Sequence, residues 1–273
     1  MNKYTPKTLV LEVVMIAVAI VFFIPVYVLI NLSFKLPNDP TGPLQPTTHV
    51  TFQNYVDAWQ QGHLANALLN SSLIALVSVT VLIFISALAA YPLARVAKKW
   101  SRVVFFLFMI GLLLPFQLAM IPLYSTMRDL GLLGTVWALV IFYVGMQAPF
   151  SIFLYTGFLR AMPGDYEEAA SLDGCGPIAT FWHIVFPLLR PITGTVAILN
   201  IILIWNDFLT PLLYLSGSGT QTVPVALFSF VGQYVSQWNL VFAGLVISIF
   251  PILIVYFALQ RSIIRGFVSG LKG

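Results

Sequence analysis

Charged side chains are scarce in this sequence. Only 8% of its residues are Asp, Glu, Lys or Arg, whereas 59% are apolar, and the mean hydropathy is +0.94. Soluble domains contain about 25% charged and about 45–50% apolar residues. The composition therefore predicts a multi-span protein in contact with membrane lipid, with little water-soluble mass. The basic residues form no clustered face, so no nucleic acid is expected as a partner.

Cysteine and histidine are also scarce. Cys175 is the only cysteine, so an intrachain disulfide is excluded. The His, Glu and Cys residues show no metal-site spacing, and no stretch matches the glycine-rich lysine loop that holds nucleotide phosphates. His49 and His63 are expected at the surface of an outer loop, and His183 in a packing or interfacial role. We therefore expect no catalytic residue, no metal and no cofactor bound by this chain.

Apolar runs long enough to cross about 30 Å of hydrocarbon as a helix, roughly 20 residues, occur six times. Their length and their lack of alternation favour helices over barrel strands, and backbone in lipid must pair its own polar groups. The expected spans are Thr8–Leu32, Leu68–Ala94, Val103–Tyr124, Thr135–Phe158, Pro191–Leu215 and Leu240–Gln260. The sequence predicts an all-α, polytopic membrane protein with six transmembrane helices.

The basic residues also set the expected orientation. With the N-terminus in the cytoplasm, the outer loops hold only Lys35 and Arg128 of the 13 basic residues. Because cytoplasmic loops are enriched in Lys and Arg, both termini are expected to be cytoplasmic. The first run, Thr8–Leu32, is too long for a signal-peptide core and is expected to remain uncleaved.

A polar segment, residues 159–190, separates two of the spans and lies in the cytoplasm in this orientation. Asp165, with Glu168 three residues later, is typical of a capping box that opens a short helix. Together with Glu167, these acids fall in the first turn, where the helix dipole favours negative charge. Gly174 suits the left-handed position that ends a helix.

A second short helix is predicted after this glycine turn. Pro177 fits its first position, and Pro187 is expected to end it. Its apolar stripe consists of Ile178, Phe181, Trp182 and Val185. Composition alone leaves two interpretations open: an ordinary amphipathic loop between two spans, or a surface that contacts a soluble partner.

The same segment carries a long motif with fixed spacing: Glu-Ala-Ala, then a glycine after three residues, then nine residues before Ile-x-x-Pro. It consists of Glu168, Ala169, Ala170, Gly174, Ile184 and Pro187. This motif resembles the signature of the integral membrane subunits of bacterial ATP-binding-cassette importers. Asp173 and Phe181 fit its extended form, whereas Cys175 stands where a small residue, often Ala, is typical.

Other stretches are similar to one branch of that family. The stretch Trp205-Asn206-Asp207-Phe208-Leu209 looks like the carbohydrate-importer permeases, as do Asn54-Tyr55, Asn70-Ser71 and the C-terminal Gly270-Leu271-Lys272-Gly273. The six-span form without a large outer domain is similar to the smaller permease of maltose-type systems. The likeness extends over nearly the whole chain.

The resemblance implies a type I ABC importer transmembrane fold with a cytoplasmic coupling helix. It implies an N-terminal span and outer loop at 1–66, a transmembrane domain at 67–262 with a coupling hairpin at 159–190, and a cytoplasmic tail at 263–273. The residues expected to contact or position the ATPase are Glu168, Ala169, Ala170, Asp173, Gly174, Ile184 and Pro187.

The implied partners are a second permease subunit, two ATPase subunits that carry ATP and magnesium, and an extracytoplasmic sugar-binding protein. The chain itself would be a non-catalytic part of the bacterial inner membrane complex. Two other classes are weighed against this one. A self-contained secondary transporter or channel would need no ATPase, but no internal repeat supports it, and an intramembrane enzyme would need a nucleophile or metal motif.

Asp207 is the only acidic residue deep within a predicted span. A lone charge there costs roughly 2.5–3.5 kcal/mol, so it should face protein or water. The candidates for the substrate path are Asn200, Asn206, Asp207, Thr210 and Gln117. Carboxylates and amides suit sugar hydroxyls, but a hydrogen bond to a neighbouring helix is an alternative role for the same residues.

Overall fold

The computed structural model describes residues 5–232 and 237–270, with side chains described up to residue 260. Helices α1–α13 and one π-helix account for most of this part of the chain, which confirms the predicted all-α class. They are α1 Pro6–Ser33, α2 Gln53–Gln61, α3 Leu64–Arg95, α4 Lys99–Leu113, α5 Phe116–Asp129, α6 Val136–Ala161, α7 Asp165–Leu172, α8 Pro177–Thr180, the π-helix Phe181–Val185, α9 Phe186–Leu188, α10 Arg190–Asn206, α11 Leu209–Tyr214, α12 Val223–Phe228 and α13 Trp238–Gly270.

Four of the described helices are each long and apolar enough to cross a bilayer: α1, α3, α6 and the part of α13 up to Gln260. Two further candidates are bent pairs, α4 with α5 at 99°, and Pro177–Leu188 with α10 at 72°. Counting each bent pair as one span gives up to six spans. The last residues of the predicted tail, 271–273, lie outside the described residues.

The third predicted span, Val103–Tyr124, is not one straight helix. Helix α4 ends at Leu113, and both Leu114 and Pro115 take extended backbone before α5 begins at Phe116. The residue before a proline is pushed away from the helical region by the proline ring. The expected single span is therefore an elbow of two half-helices.

The fifth predicted span, Pro191–Leu215, is also interrupted. Helix α10 ends at Asn206, Asp207 is extended with ψ of 124°, and α11 begins only at Leu209. The expectation of one continuous helix over Pro191–Leu215 is therefore wrong.

The chain divides into two compact units, one formed by Met1–Ala65 with Ala226–Phe250 and the other by Asn66–Val225 with Pro251–Gly273. In the first unit, α1 starts at Pro6 after Thr5, whose hydroxyl accepts the Thr8 N–H. The side chains of α1 are exposed around nearly its whole circumference, and Phe22 is 77% exposed. Such a helix needs lipid or another apolar surface around it.

The first loop, residues 34–52, is held by buried polar groups of the same unit. The Asn54 amide donates to the Ser33 and Lys35 carbonyls at 2.9 and 2.7 Å, and its oxygen accepts from Asn239 at 2.7 Å. The buried Lys35 ammonium donates to the Thr41 and Gly42 carbonyls. These bonds give the loop a defined shape although it lacks regular structure.

Asp39 organises the middle of this loop. It accepts hydrogen bonds from the Thr41 hydroxyl, the Thr41 N–H and the Thr47 hydroxyl. These bonds, the Thr41 hydroxyl first, lower the pKa of the Asp39 carboxyl to about 2.

The second unit contains two apolar clusters. The first packs α3, α6, α10 and α11 around Leu139, Phe142, Tyr143 and Tyr214. The second joins α3 and α6 to the segment after Gly176, and its fully buried members include Ala87, Ala90, Tyr155, Leu159, Phe181, Val185 and Leu189. Small residues on α3 allow close helix packing, as is usual between membrane helices. The second cluster is what positions the polar hairpin.

Candidate functional site

The first arm of the hairpin is α7. Its N-cap is Gly164, not Asp165, and no side chain caps it; instead the N–H groups of Glu167 and Glu168 bond the Gly164 carbonyl. The predicted capping box at Asp165 is therefore wrong, because Asp165 is already the first helical residue. The three acids do lie in the first turn, as predicted.

Arg95, at the end of α3, holds this arm. Its Nε donates to Glu167 Oε1 at 3.0 Å, and its two terminal nitrogens donate to the carbonyls of Met162 and Pro163 at 3.0 and 3.5 Å. The ion pair is partly shielded from solvent, so it is worth more than a fully exposed pair. The sequence alone gave no indication of this role of Arg95.

The turn at Gly174 matches its prediction. Gly174 has a φ of +82°, and the Cys175 N–H bonds back to the Ala170 carbonyl at 2.9 Å. A Cβ added at Gly174 would meet nothing within 4 Å, so the requirement is one of backbone conformation and not of space. The turn reverses the chain and brings it to Pro177, the first residue of α8, as predicted.

One side of the hairpin is open to solvent. We call Glu168, Ala169, Leu172, Asp173 and Ile178 the hairpin tip; all five are exposed, Leu172 to 90% and Ile178 to 75%. Two large apolar side chains beside two carboxylates make a mixed surface that can pack against another protein. Sequence reasoning missed Leu172, although its apolar side chain at the end of a polar helix was a usable signal.

The other candidate residues of the motif face the rest of the protein and not the solvent. Ala170 is buried on the inner side of α7, and Ile184 and Pro187 are half-buried in the second arm. The predicted apolar stripe divides: Phe181 and Val185 are buried, whereas Ile178 and Trp182 are exposed. Pro187 does not end the helix as predicted, because the helix continues to Leu188.

Asp207 lies at the break between α10 and α11. Its Oδ2 accepts from the Tyr143 hydroxyl at 3.0 Å and its Oδ1 accepts from the Thr210 N–H at 3.3 Å. The carboxylate thus joins α6 to the start of α11 and satisfies one of the free N–H groups there. Half-buried and accepting two bonds, it stabilises the break.

The remaining path candidates do not converge. Asn200 is fully buried, and its Nδ2 donates to Ser151 Oγ at 3.2 Å and to the Val196 carbonyl at 2.8 Å. Thr210 is buried, whereas Asn206 is exposed and donates to the carbonyl of its own helix at Ile202. Gln117 is exposed near the start of α5.

A polar groove of about 180 Å³ lies beside α11, and sequence reasoning did not anticipate it. It is lined by Pro211, Leu212, Leu215, Ser216, Gly217, Gly219, Thr220, Gln221 and Val225. None of these side chains is charged, so the groove can offer only neutral hydrogen-bonding groups. Among the described residues, no group of three His, Cys, Asp or Glu side chains could hold a metal ion.

Comparisons with known proteins match most of the chain. The family model described as the inner membrane component of binding-protein-dependent transport systems matches residues 82–268. A probable starch degradation products transport system permease protein, AmyC of Thermoanaerobacterium thermosulfurigenes, is 35% identical over 99% of this chain and 98% of its own length. The melibiose/raffinose/stachyose import permease protein MelC of Bacillus subtilis is 35% identical over 94% of each chain.

A solved structure supports the fold. A chain from a bacterial ABC transporter involved in the import of the acidic polysaccharide alginate aligns with a TM-score of 0.81. It covers 96% of this chain and 99% of its own length at 21% identity. This likeness confirms the predicted importer transmembrane fold.

Proposed function

The chain belongs to the family of inner membrane components of binding-protein-dependent transport systems, and from that membership we propose that it forms half of the translocation pathway of an ATP-driven carbohydrate importer. The observation that carries the proposal is the asymmetry of the hairpin. Arg95 and the second apolar cluster hold one side, while the hairpin tip is free to contact another protein. The alternative of a self-contained transporter or channel gains no support from the relatives.

The hairpin tip would contact one of two ATPase subunits that carry ATP and magnesium; this chain would contribute no catalytic group. A second permease would complete the pathway, and an extracytoplasmic sugar-binding protein would deliver the substrate. This arrangement requires the tip in the cytoplasm, with both termini on the same side. The excess of Lys and Arg in the inner segments supports that orientation.

The tip must transmit enough free energy to move the spans. Switching a two-state transporter nearly completely takes about 5.5 kcal/mol of differential interaction. A hairpin held by a partly shielded ion pair and by buried Phe181 and Val185 transmits a displacement better than a solvated loop would. Glu168, Asp173 and Gly174 belong to the contact surface or its turn, whereas Ala170, Ile184 and Pro187 set how the hairpin is seated.

The substrate class rests on the relatives. Their printed names refer to starch degradation products and to melibiose, raffinose and stachyose, and we extend the oligosaccharide class to this chain. Asn206 and Gln117 are exposed amides and remain candidates for contact with sugar hydroxyls. Asn200, Asp207 and Thr210 are proposed to hold the helices that frame the path.

The test compares two leucines with similar chemistry on opposite sides of the proposed membrane. Leu172→Ser removes an exposed apolar group from the tip, and Leu44→Ser removes one from the first loop, where Leu44 is 62% exposed. Each variant is co-expressed with the second permease and the ATPase. ATPase captured with the tagged chain, and sugar uptake, should fall at least tenfold for Leu172→Ser and stay within twofold for Leu44→Ser.

Two results would contradict the proposal. One is undiminished ATPase capture and uptake with Leu172→Ser. The other is substrate transport by this chain alone in liposomes, without ATPase or second permease, which would support the self-contained class.

A further inference from the structure

Helix α2 is held at the level where the chain leaves and re-enters the membrane. The Asn54 amide donates to the carbonyl of Ser33, the last residue of α1, at 2.9 Å, and the Tyr55 and Ser33 hydroxyl oxygens are 2.7 Å apart. At its other end, only Gly62 and His63 separate α2 from α3. Both α1 and α3 are long and apolar enough to span a bilayer. The chain therefore passes through α2 between the end of one span and the beginning of the next.

The length of α1 places this level in the headgroup layer. Its apolar run, Thr8–Leu32, contains 25 residues and extends about 37 Å as a helix. The hydrocarbon core is about 30 Å thick, and the bilayer with its headgroups is about 40–45 Å thick. Ser33, the next residue, then lies beyond the hydrocarbon but within the headgroups. Because α2 is hydrogen-bonded to Ser33, its start lies at the same depth.

Three different faces surround the axis of α2. Asn54 and Ala58 lie on the face that packs against protein, and they are 3% and 0% exposed. We call Phe52, the N-cap residue, together with Val56 and Trp59 the apolar stripe of α2; these side chains are 69%, 45% and 44% exposed. At 3.6 residues per turn the three lie within about 60° of one another. The remaining arc is polar and consists of Gln53, Asp57, Gln60 and Gln61.

These three faces fit a helix at the boundary of protein, lipid and water. A contiguous exposed apolar patch marks a protein or membrane contact, and at headgroup depth the surface that neither protein nor water covers is covered by lipid. Trp is enriched at this level, where its ring meets both acyl chains and headgroups. A polar arc beside an apolar one is the pattern of a helix that lies in the membrane interface. Asp57 is the only charged residue of α2, so the contact depends on apolar burial and not on anionic lipid.

We propose that α2 lies in the outer headgroup layer with Phe52, Val56 and Trp59 inserted into lipid, and that it thereby fixes the depth of the outer end of α1. The contact with lipid rests on α1 as a span. Its assignment to the outer leaflet rests on the orientation in the proposed function, in which both termini are cytoplasmic.

The test uses the assembled importer in phosphatidylcholine vesicles. Cys175→Ser removes the only native thiol of this chain, and the partner subunits are prepared without exposed cysteines. In that background, Val56→Cys places an NBD fluorophore on the apolar stripe, and Gln60→Cys places one on the polar arc as the matched control one turn away. If Val56→Cys fails to assemble, Phe52→Cys repeats the measurement at the other end of the stripe.

Phosphatidylcholine with a nitroxide near its headgroup should quench the label at position 56 at least threefold more than the label at position 60. Iodide in the water should show the opposite order. Equal quenching of the two labels by the lipid, or iodide access to position 56 equal to that at position 60, would overturn the lipid contact. Shielding of position 56 from both quenchers would also overturn it, in favour of the second permease. Shielding that appears only with added sugar-binding protein would overturn it in favour of that partner.

Dithionite, which does not cross the membrane, separates this inference from the proposed function. In right-side-out membrane vesicles, it should reduce the label at position 60 without opening the vesicles. Reduction only after the vesicles are opened would contradict the outer assignment and the proposed orientation, while lipid quenching at position 56 would still establish the contact. Reduction from outside without lipid quenching at position 56 would overturn the inference alone and leave the proposed function intact.

Discussion

The hairpin tip and the break at Asp207 use polar side chains in opposite ways. At the tip, Glu168 and Asp173 are exposed, and the hydrogen bonds that hold the hairpin come from Arg95 and Gly164 instead. At the break, the carboxylate of Asp207 is itself the bonded group. Family-like stretches of sequence mark both places, but only the tip offers its side chains to another molecule.

This difference teaches that an unusual polar residue in an apolar chain has two distinct uses. A buried polar group left unpaired costs about 1–3 kcal/mol, so most buried polar groups are paired within the chain. An exposed polar group keeps its hydrogen bonds to water, so it carries no such cost and is available for binding another molecule. The partners of each side chain therefore separate a contact surface from a structural bond, and mutations at the two places should differ in what they change.

The largest effect is expected at the turn of the tip. Gly174→Val forces a β-branched residue into a left-handed conformation, which costs about 1–2 kcal/mol, and should reduce uptake at least tenfold. Gly131→Val is the matched control, since Gly131 also has positive φ and open space around it. Uptake by the control should stay within twofold of the wild type. Equal losses of uptake in both variants would show that the hairpin turn is no more sensitive than a glycine turn elsewhere in the chain.

The next effect concerns the seat of the hairpin. Arg95→Ala removes an ion pair and two carbonyl bonds, worth about 2 kcal/mol together after solvent screening, and uptake should fall severalfold. Glu167→Gln keeps both carbonyl bonds and should cost less. Hydrogen exchange of residues 162–176 in the purified complex measures the loosening. Faster exchange with Glu167→Gln than with Arg95→Ala would contradict this order.

Substitutions at and beside Asp207 test the proposed structural role of the break between α10 and α11. Asp207→Ala removes both accepted bonds and should lower stability by about 1–2 kcal/mol, whereas Tyr143→Phe removes one and should cost about 0.6 kcal/mol. Thermal unfolding of the detergent-solubilised chain and the KM for uptake are measured together. If Asp207 has a structural role, its replacement lowers the stability of the chain and leaves the KM for uptake nearly unchanged. A raised KM in a stable variant would instead show that Asp207 contacts the sugar.

Asn200 should give a smaller change. Asn200→Leu removes the bonds to Ser151 and to the Val196 carbonyl, and also removes a buried Asn200 oxygen that accepts no bond within the described residues. The loss and the gain oppose each other, so the stability change should stay below about 1 kcal/mol. The same two measurements apply. A severalfold rise in KM would place Asn200 in the substrate path.

The smallest effect is expected far from both places. The folded pKa of Asp39 is about 2, below its unfolded value of about 3.9. Its contribution to stability is therefore complete above about pH 4 and is lost as the pH falls through 2. The ratio of wild-type to Asp39→Asn uptake should be the same at pH 5 and pH 8. A ratio that changes across this range would show that Asp39 titrates there.

Local rules predicted the hairpin better than the spans. Gly174 and Pro177 lie where backbone conformation alone requires them, so a single sequence suffices to place them. The capping box failed because Gly164 supplied a backbone acceptor one residue earlier. The bonds of Arg95 to Glu167 and of Tyr143 to Asp207 join residues 72 and 64 positions apart. Such pairings depend on how the helices pack, which hydrophobic periodicity does not encode.

The elbow between α4 and α5 has a consequence for the bilayer. Fifteen and fourteen residues of helix extend about 22 and 21 Å, so neither half alone reaches across the hydrocarbon. The carbonyls that end α4 and the N–H groups that begin α5 meet at Leu114–Pro115 with no helical partners. Acyl chains cannot solvate them. This corner of the molecule must therefore adjoin water or a hydrogen-bonding neighbour, and acyl chains alone cannot surround it.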